Sequence, residues 1–213
     1  SCIYPKNSAQ PISEDSLLTG PLEYTNEPYA VAKIAGMKMC ESYNLQYGTN
    51  FISLMPTNLY GQNDNFDLKT SHVIPALIRK VHDAKKKKLT KVEIWGTGKP
   101  IRDFLHVDDF ADASIFALQK INFEDLLNDK KHISNTHINV GTGVGVSIKQ
   151  LALIIKTVSG YQGEFTFNIS KPDGTMLKVI DVKKINSFGW KQKVDLEDGI
   201  NQLYHWYLES SFN

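Results

Sequence analysis

The fold of this chain is decided by the stretch Asn26-Glu27-Pro28-Tyr29-Ala30-Val31-Ala32-Lys33, which opens a predicted helix running to about Gly48. Pro28 suits a first helical turn, because its missing N–H would have no partner within the helix there. Tyr29 and Lys33 are four residues apart and therefore share one helix face. A lysine ammonium beside a phenol stabilises the phenolate, which makes Tyr29 a candidate acid or base. The spacing alone is weak evidence, since a chain with 9 Tyr is expected to contain about one such pair by chance.

Composition excludes several classes of protein. The 213 residues suffice for one or two domains, and 41% hydrophobic with 22% charged residues is ordinary for a globular protein. A net charge of +1 argues against a nucleic-acid partner. Cys2 and Cys40 form no disulfide framework and fit a reducing compartment. No apolar run approaches the roughly 18 residues of a membrane span, so we expect a cytoplasmic protein without a membrane partner.

Strands and helices alternate along the chain, which predicts the α/β class. Beyond the first helix, predicted helices cover 73–84, 108–119, 147–159 and 196–208, and predicted strands cover 50–55, 92–95, 100–107, 138–140 and 164–169. Irregular connections are predicted at 5–27 and 120–136, and a turn at 171–175. The segment from Pro56 to Gly61 is predicted as the loop after a strand. Ligands of α/β proteins collect beyond the carboxyl ends of strands, so this loop is expected to face one.

Several residues have two interpretations that the residues themselves leave open. The sequence GTGVGV at 141–146 invites a dinucleotide-fingerprint interpretation, but its third glycine is misplaced, which favours a tight strand-to-helix turn. Cys2 is either a small buried hydrophobe, which is favoured, or a reactive thiol. His72 is either a structural hydrogen bonder or a catalyst. Trp95 and Arg102 are either core and surface residues or a stacking face and a diphosphate clamp.

Longer runs of sequence carry a resemblance to a known family. The runs are SCIYPK at 1–6, TNEPYAVAKIAG at 25–36, MPTNLYG at 55–61, SHVIPALIR at 71–79, WGTG at 95–98, RDFLHVDD at 102–109 and SKPDGT at 170–175. Together they closely resemble the GDP-L-fucose synthases, which are the GDP-4-keto-6-deoxy-D-mannose 3,5-epimerase-4-reductases of the extended short-chain dehydrogenase/reductase superfamily. The likeness covers essentially the whole chain and is far more specific than a tyrosine and lysine four residues apart.

The resemblance implies the C-terminal part of an NAD(P)-binding Rossmann fold together with a smaller α/β substrate-binding domain. Residues 1–61 would complete the Rossmann domain, and residues 62–213 would mainly bind the GDP-sugar, with some segments returning to the Rossmann domain. We expect the glycine-rich half of the family and its catalytic serine to lie upstream of Ser1. The helix that carries Tyr29 is expected to form half of a homodimer interface.

The implied activity is NADPH-dependent 3,5-epimerisation and 4-reduction of GDP-4-keto-6-deoxy-D-mannose to GDP-L-fucose. Cys2 matches the base and His72 the acid of the epimerisation. Tyr29 matches the proton donor of the reduction, supported by Lys33. No metal is expected.

The resemblance also implies the residues that bind each ligand. Those expected to hold NADP are Tyr29, Lys33, Pro56, Asn58, Leu59 and His72. Those expected to hold the sugar nucleotide are Asn58, Lys80, Trp95, Arg102, Asp173 and Lys178. Lys80 stands where the family has an arginine, and a lysine keeps the charge but loses the bidentate fork.

Two alternatives remain at this point. One is another sugar-nucleotide epimerase or dehydratase of the same superfamily, which would not need the acid–base pair of Cys2 and His72. The other is an inactive fragment that retains only substrate binding or dimerisation, as the absent phosphate-binding half suggests.

Overall fold

The computed structural model describes residues 1–127 and 133–210, which form an α/β structure of helices and short strands. The helices are α1 (Glu27–Tyr47), α2 (Val73–Lys86), α3 (Val107–Lys120), α4 (Ile148–Ser159), α5 (Lys183–Ser187) and α6 (Leu196–Glu209). The strands are β1 (Leu54–Pro56), β2 (Asn58–Tyr60), β3 (Lys91–Trp95), β4 (Ile101–Arg102), β5 (Phe104–His106), β6 (Ile138–Val140), β7 (Val146–Ser147), β8 (Glu164–Asn168) and β9 (Leu177–Lys178). Short 3-10 turns lie at Glu14–Ser16, Tyr24–Asn26 and Phe123–Leu126.

Most of the strand pairing is parallel. β1 pairs with β6, β2 with β5, and β3 with β8, and in the longest pair Lys91 lies opposite Glu164. β4 lies between β7, which is antiparallel to it, and β9, which is parallel. Parallel neighbours need long crossover connections, which the helices supply. The predicted α/β alternation is therefore confirmed.

The predicted helices are present, with ends that follow from their sequences. α1 ends at Tyr47, where Gly48 takes a left-handed φ of 64° and its amide donates to the Asn44 carbonyl. α4 begins after Ser147, whose side chain accepts from the Gln150 amide while the Gln150 side chain accepts from the Ser147 amide. Among the described residues, no helix is both long enough and apolar enough to cross a membrane.

Two predictions about residues 50–61 are wrong. The predicted strand 50–55 begins only at Leu54, and Phe51 is half exposed instead of buried. The predicted loop that follows contains β2, because the chain resumes pairing after Thr57 and lies along β5. Short segments of this kind carry too few residues for a clear period.

The predicted strand at 100–107 is two strands that belong to different sheets. β4 pairs with β7 and β9, whereas β5 pairs with β2, and Asp103 lies between them. β7, β9 and α5 were not predicted, since each is only two to five residues long. Part of the predicted connection at 120–136 lies outside the described residues.

Three apolar clusters hold these elements together. The largest joins α2, α4 and α6 to β3, with Ile78, Leu151 and Ile200 fully buried. The second surrounds β5 and β6 and is closed by Trp190. The third packs Ile3 and other residues of the N-terminal segment against α1 and β1. The division into domains at residue 61 stays a prediction.

We expect two Leu→Ala substitutions, one inside the largest cluster and one at the surface, to differ clearly in their effect on the free energy of unfolding. Leu151→Ala removes a fully buried side chain from α4, so we expect a loss of about 2–5 kcal/mol in the free energy of unfolding. Leu118→Ala on α3 removes a side chain that is 81% exposed and should cost less than about 1 kcal/mol. Urea unfolding followed by circular dichroism measures both, and equal losses would contradict the assignment of this core.

Candidate active site

Cys2 lies in an open cleft beside the carboxyl end of β1. The Ser1 nitrogen donates to the Pro56 carbonyl at 3.0 Å, which places the first residues against that strand. Cys2 is half-buried, and the Lys178 ammonium lies 3.6 Å from its sulfur. Both residues line the cleft, together with Tyr4 and Lys6. The thiol is thus neither fully buried nor isolated, and a cation is its neighbour.

A buried set of polar side chains, called here the Tyr4 cluster, fastens the segment that carries Cys2. It consists of Tyr4, Glu14, His137 and Asn139, all with less than a tenth of their surface exposed. The Tyr4 hydroxyl donates to Asn139 Oδ1 and lies 2.8 Å from His137 Nε2. The Glu14 carboxylate accepts from the backbone N–H of Asn139 at 2.9 Å. Each of these bonds joins the N-terminal segment to β6 or to the residue before it.

Burial governs the protonation of the Tyr4 cluster. It lowers the pKa of His137 to about 3, with a smaller effect of the nearby Lys184 charge. Burial also raises the pKa of the Glu14 carboxyl, against the stabilising charge of Lys184, and raises the pKa of the Tyr4 phenol above its usual range. His137 is therefore a neutral hydrogen-bonding group at physiological pH.

Tyr29 and Lys33 lie together on the exposed face of α1. The Lys33 ammonium is 5.4 Å from the centroid of the Tyr29 ring, and 59% of the tyrosine surface is exposed. The predicted shared face is confirmed. Their role in catalysis stays a prediction, because among the described residues no hydrogen bond or ion pair joins them to Cys2.

Asp103 is a site residue that the sequence analysis missed. Its carboxylate is fully buried and accepts from the Thr142 amide at 3.2 Å, the Thr142 hydroxyl at 2.7 Å and the Gly143 amide at 3.2 Å. Its carbonyl accepts from Asn58 Nδ2 at 2.7 Å and from the Thr57 hydroxyl at 3.0 Å. Burial raises the pKa of the Asp103 carboxyl, while the donors of Thr142 and Gly143 oppose the rise. The available signal was an acidic residue directly before the apolar residues Phe104 and Leu105.

The glycine turn after β6 is shaped by this carboxylate. A Cβ at Gly141 would lie 2.6 Å from Asp103 Oδ2, so a side chain there would displace the buried group. Gly143 has a φ of 70°, which favours glycine. The connection after β6 leads into β7 and only then into α4, so the favoured interpretation of 141–146 as a strand-to-helix turn is wrong at its far end.

Trp95 lies at the surface between two lysines. It is 57% exposed at the end of β3, and the ammonium groups of Lys80 and Lys171 lie 5.1 Å and 5.3 Å from its ring centroid. The interpretation of Trp95 as a core residue is therefore excluded. Lys171 was not predicted as a site residue. An exposed aromatic face with two cations suits a ligand that has both a flat ring and negative charge.

Asp173 and Arg102 lie close to this surface. The Asp173 carboxylate accepts from the Thr97 amide at 2.6 Å and the Thr97 hydroxyl at 2.7 Å, and these bonds hold its pKa below the usual range. A Cβ at Gly96 would lie 2.2 Å from Asp173 Oδ1, which explains the glycine. Arg102 is half-buried, and burial lowers the pKa of its guanidinium, although Asp173 opposes this. Asp173 therefore shapes the turn that presents Trp95.

The structure does not bring every predicted residue together. His72 is exposed at the start of α2, and among the described residues its side chain has no hydrogen bond or ion pair with Cys2 or Tyr29. Pro56 is the last residue of β1, and Asn58 and Leu59 are the first two residues of β2, directly beyond that carboxyl end. The part of the chain that the structure describes contains no group of acidic, histidine or cysteine side chains able to hold a metal ion.

Comparison with known proteins identifies the family. The profile described as the NAD dependent epimerase/dehydratase family matches residues 1–141. The chain belongs to this family. Its expected resemblance to GDP-L-fucose synthases is confirmed, since it is 52% identical over 210 residues to the GDP-L-fucose synthase of Escherichia coli (strain K12). That match covers 99% of this chain and 65% of the relative.

Solved structures of the family share the fold. A GDP-6-OMe-4-keto-L-xylo-heptose reductase from Campylobacter jejuni superposes with a TM-score of 0.90 at 46% identity, over 98% of this chain and 68% of that one. A GDP-L-fucose synthetase from Naegleria fowleri bound to NADP superposes with a TM-score of 0.82 at 30% identity, over 98% and 64% of the two chains. The expected extended short-chain dehydrogenase fold is confirmed. The chain spans about three-fifths of the length of the curated relatives that it matches.

Because His137 is buried in its neutral form, we expect the free energy of unfolding to depend on pH. Its folded pKa of about 3 lies below the ordinary 6.5, so the unfolded chain binds the proton more readily between these values. This contribution is fully present above about pH 6.5 and is lost as the pH falls towards 3. His137→Gln removes the titrating ring. Between about pH 7 and pH 5, wild type should therefore lose up to about 2 kcal/mol more stability than the variant in urea unfolding. Parallel losses in the two proteins would contradict a buried neutral histidine.

Proposed function

We propose that this chain carries the catalytic helix and the substrate-binding part of a GDP-L-fucose synthase. The proposed reaction is NADPH-dependent 3,5-epimerisation and 4-reduction of GDP-4-keto-6-deoxy-D-mannose. The observation that carries the proposal is the half-buried thiol of Cys2 beside a lysine in a cleft. It occurs in a chain that is 52% identical to a GDP-L-fucose synthase over 99% of its length.

The epimerisation assigns opposite tasks to two side chains. The 4-keto group acidifies the hydrogens at C3 and C5 of the sugar, because the electron pair left by either proton passes into an enolate. Cys2 as thiolate takes the proton, so that the C–H bond breaks and an S–H bond forms. His72 returns a proton to the opposite face of the same carbon. The exposed position of His72 at the start of α2 leaves it accessible for this task.

In the proposed reduction, Tyr29 is the acid that protonates the 4-oxygen. NADP in its reduced form supplies the hydride for C4 when it is bound. The Tyr29 hydroxyl gives its proton to the 4-oxygen, and the Lys33 ammonium stabilises the phenolate that remains. The Asn58 side-chain nitrogen donates to the Asp103 carbonyl, which leaves Asn58 Oδ1 to accept from the sugar or the cofactor. Asn58 and Leu59 directly follow Pro56, the last residue of β1. Ligands of this fold bind beyond the carboxyl ends of the parallel strands.

The GDP part has a matching surface around Trp95. The exposed ring provides a stacking face for the base, and Lys80, Arg102 and Lys178 provide charge for the diphosphate. Asp173 supports this surface through its bonds to Thr97.

A second candidate is the 4-reduction of a GDP-4-keto-heptose without epimerisation. The 46% identical Campylobacter jejuni structure, named as a GDP-keto-heptose reductase, favours it. The two candidates differ in whether solvent hydrogen enters C3 and C5 of the sugar.

Exchange with heavy water separates the two steps of the proposed reaction. The purified protein is offered GDP-4-keto-6-deoxy-D-mannose in D₂O, with NADPH oxidation followed by absorbance and sugar deuterium by mass spectrometry. Cys2→Ser should lower deuterium entry at C3 and C5 by on the order of a hundredfold. Tyr29→Phe should lower NADPH oxidation by a similar factor and leave the exchange in place.

The wild-type result decides between the candidates. NADPH oxidation with deuterium entry and formation of GDP-L-fucose supports the synthase. Oxidation of NADPH with a GDP-keto-heptose and no exchange supports the reductase. Absence of both activities from a protein whose intact mass is 24.0 kDa would contradict either activity for this chain and leave binding or dimerisation alone.

We also propose that α1 forms a homodimer interface in the cytoplasm. Met39, Tyr43 and Tyr47 follow one another at helical spacing and are each about half exposed. The rings of Tyr43 and Tyr47 lie 5.2 Å apart and form a continuous apolar surface. A reducing compartment fits the two free cysteines.

Charge placed on this face should dissociate the dimer. Met39→Lys combined with Tyr43→Lys is expected to convert a dimer into a monomer in light scattering, because two ammonium groups would be buried against the partner. Leu118→Lys, at an 81% exposed position of α3, serves as the control and should remain dimeric. A double variant that stays dimeric would place the interface elsewhere.

A further inference from the structure

We propose that Lys178 is a positioning residue for Cys2, which holds the sulfur in the cleft and stabilises its thiolate form. The resemblance assigns Lys178 only to the GDP part, so the contact gives it a second task in the free protein. The ammonium lies 3.6 Å from the sulfur, within the distance for a hydrogen bond to sulfur. The inference rests on the proposed function in one respect, which is that the proton accepted by Cys2 comes from C3 or C5 of the sugar.

The backbone fixes Lys178 in this position. β9 pairs with β4, and Lys178 lies opposite Arg102. The Lys178 carbonyl also accepts from the Asp103 amide at 3.3 Å. On the other side, the Tyr4 cluster anchors the segment of Cys2 to β6. The two partners are therefore held by separate parts of the fold, and their contact does not depend on a flexible loop tip.

The charges around the cleft leave Lys178 in need of an anion. Lys6, the other lysine of the cleft, has the Glu23 carboxylate at 3.0 Å. Within the described ranges, Lys178 has no carboxylate at ion-pair distance, and the Cys2 sulfur is the hydrogen-bond partner of its ammonium. Lys178 as a whole is partly buried. An ammonium that loses part of its hydration favours a negative neighbour. The thiol is the adjacent group that can become one.

The pairing suits the task proposed for Cys2. A neutral thiol has little basicity, whereas a thiolate accepts a proton from carbon. The proton that the thiol gives up passes to solvent. When the thiolate takes the C3 or C5 proton, an S–H bond forms and the electron pair of the broken C–H bond passes to the enolate.

Thiol alkylation tests the pairing without any sugar nucleotide. In a Cys40→Ser background, Cys2 is treated with iodoacetamide at about pH 7, and the modified peptide is quantified by mass spectrometry. Lys178→Met should slow alkylation by on the order of tenfold, because the thiolate is the reacting form. Lys178→Arg should retain most of the wild-type rate, since it keeps the positive charge. Lys183→Met is the matched control at a side chain that is 90% exposed and should leave the rate unchanged.

The outcomes are separable from those of the proposed reaction. A wild-type alkylation rate in a Lys178→Met protein with an unchanged melting temperature would overturn the inference, even if the enzyme makes GDP-L-fucose. A slowed rate supports it, even if the substrate is another sugar nucleotide. If Lys178→Met does not fold, the ultraviolet thiolate absorbance of the Cys40→Ser protein decides, measured against the Cys2→Ser, Cys40→Ser protein. Excess absorbance at about pH 7 supports the pairing, and its absence overturns it.

Discussion

The buried carboxylate of Asp103 is the constraint around which this site is arranged. It lies where the chain leaves one sheet for another, with Arg102 in β4 on one side and β5 on the other. A buried carboxylate needs hydrogen-bond donors, and the glycine turn after β6 supplies them from Thr142 and Gly143. Through its backbone, the same residue contacts Asn58 and Lys178. One residue thereby sets the relative positions of strands that carry predicted cofactor-binding and substrate-binding side chains.

The N-terminal segment depends on a second buried polar group, the Tyr4 cluster. Irregular backbone is usually held by few contacts, but here Ile3, Ile12 and Leu17 are buried and Glu14 accepts from β6. The buried polar side chains of the Tyr4 cluster are hydrogen-bonded, so the segment needs no regular secondary structure to satisfy them. The segment is thus held in place by buried contacts along its length. This explains how Cys2 meets a lysine that is 176 residues away in the chain.

Long, strongly patterned elements were predictable from the sequence, and short ones were not. α1 follows from Pro28 at its start and Gly48 at its end, and α4 from Ser147, a residue type that favours the position before a helix. β2, β7 and β9 contain two or three residues each, and their pairing depends on distant partners that no local pattern reveals. The identities of Cys2, Trp95 and Lys178 as site residues came from the resemblance. Asp103 and Lys171 were missed because their importance lies in contacts with residues far along the chain.

The setting of the tryptophans has a consequence for spectroscopy. Trp95 is 57% exposed between two ammonium groups, whereas Trp190 is 3% exposed in the second apolar cluster. A solvated indole next to positive charge emits at longer wavelength and meets small quenchers such as iodide, while a buried indole is protected from them. Trp206, the third tryptophan, is partly buried against the largest apolar cluster. The exposed and the buried rings therefore report on different events within one emission spectrum. The red component follows whatever covers the surface of β3, and the blue component follows the integrity of the core.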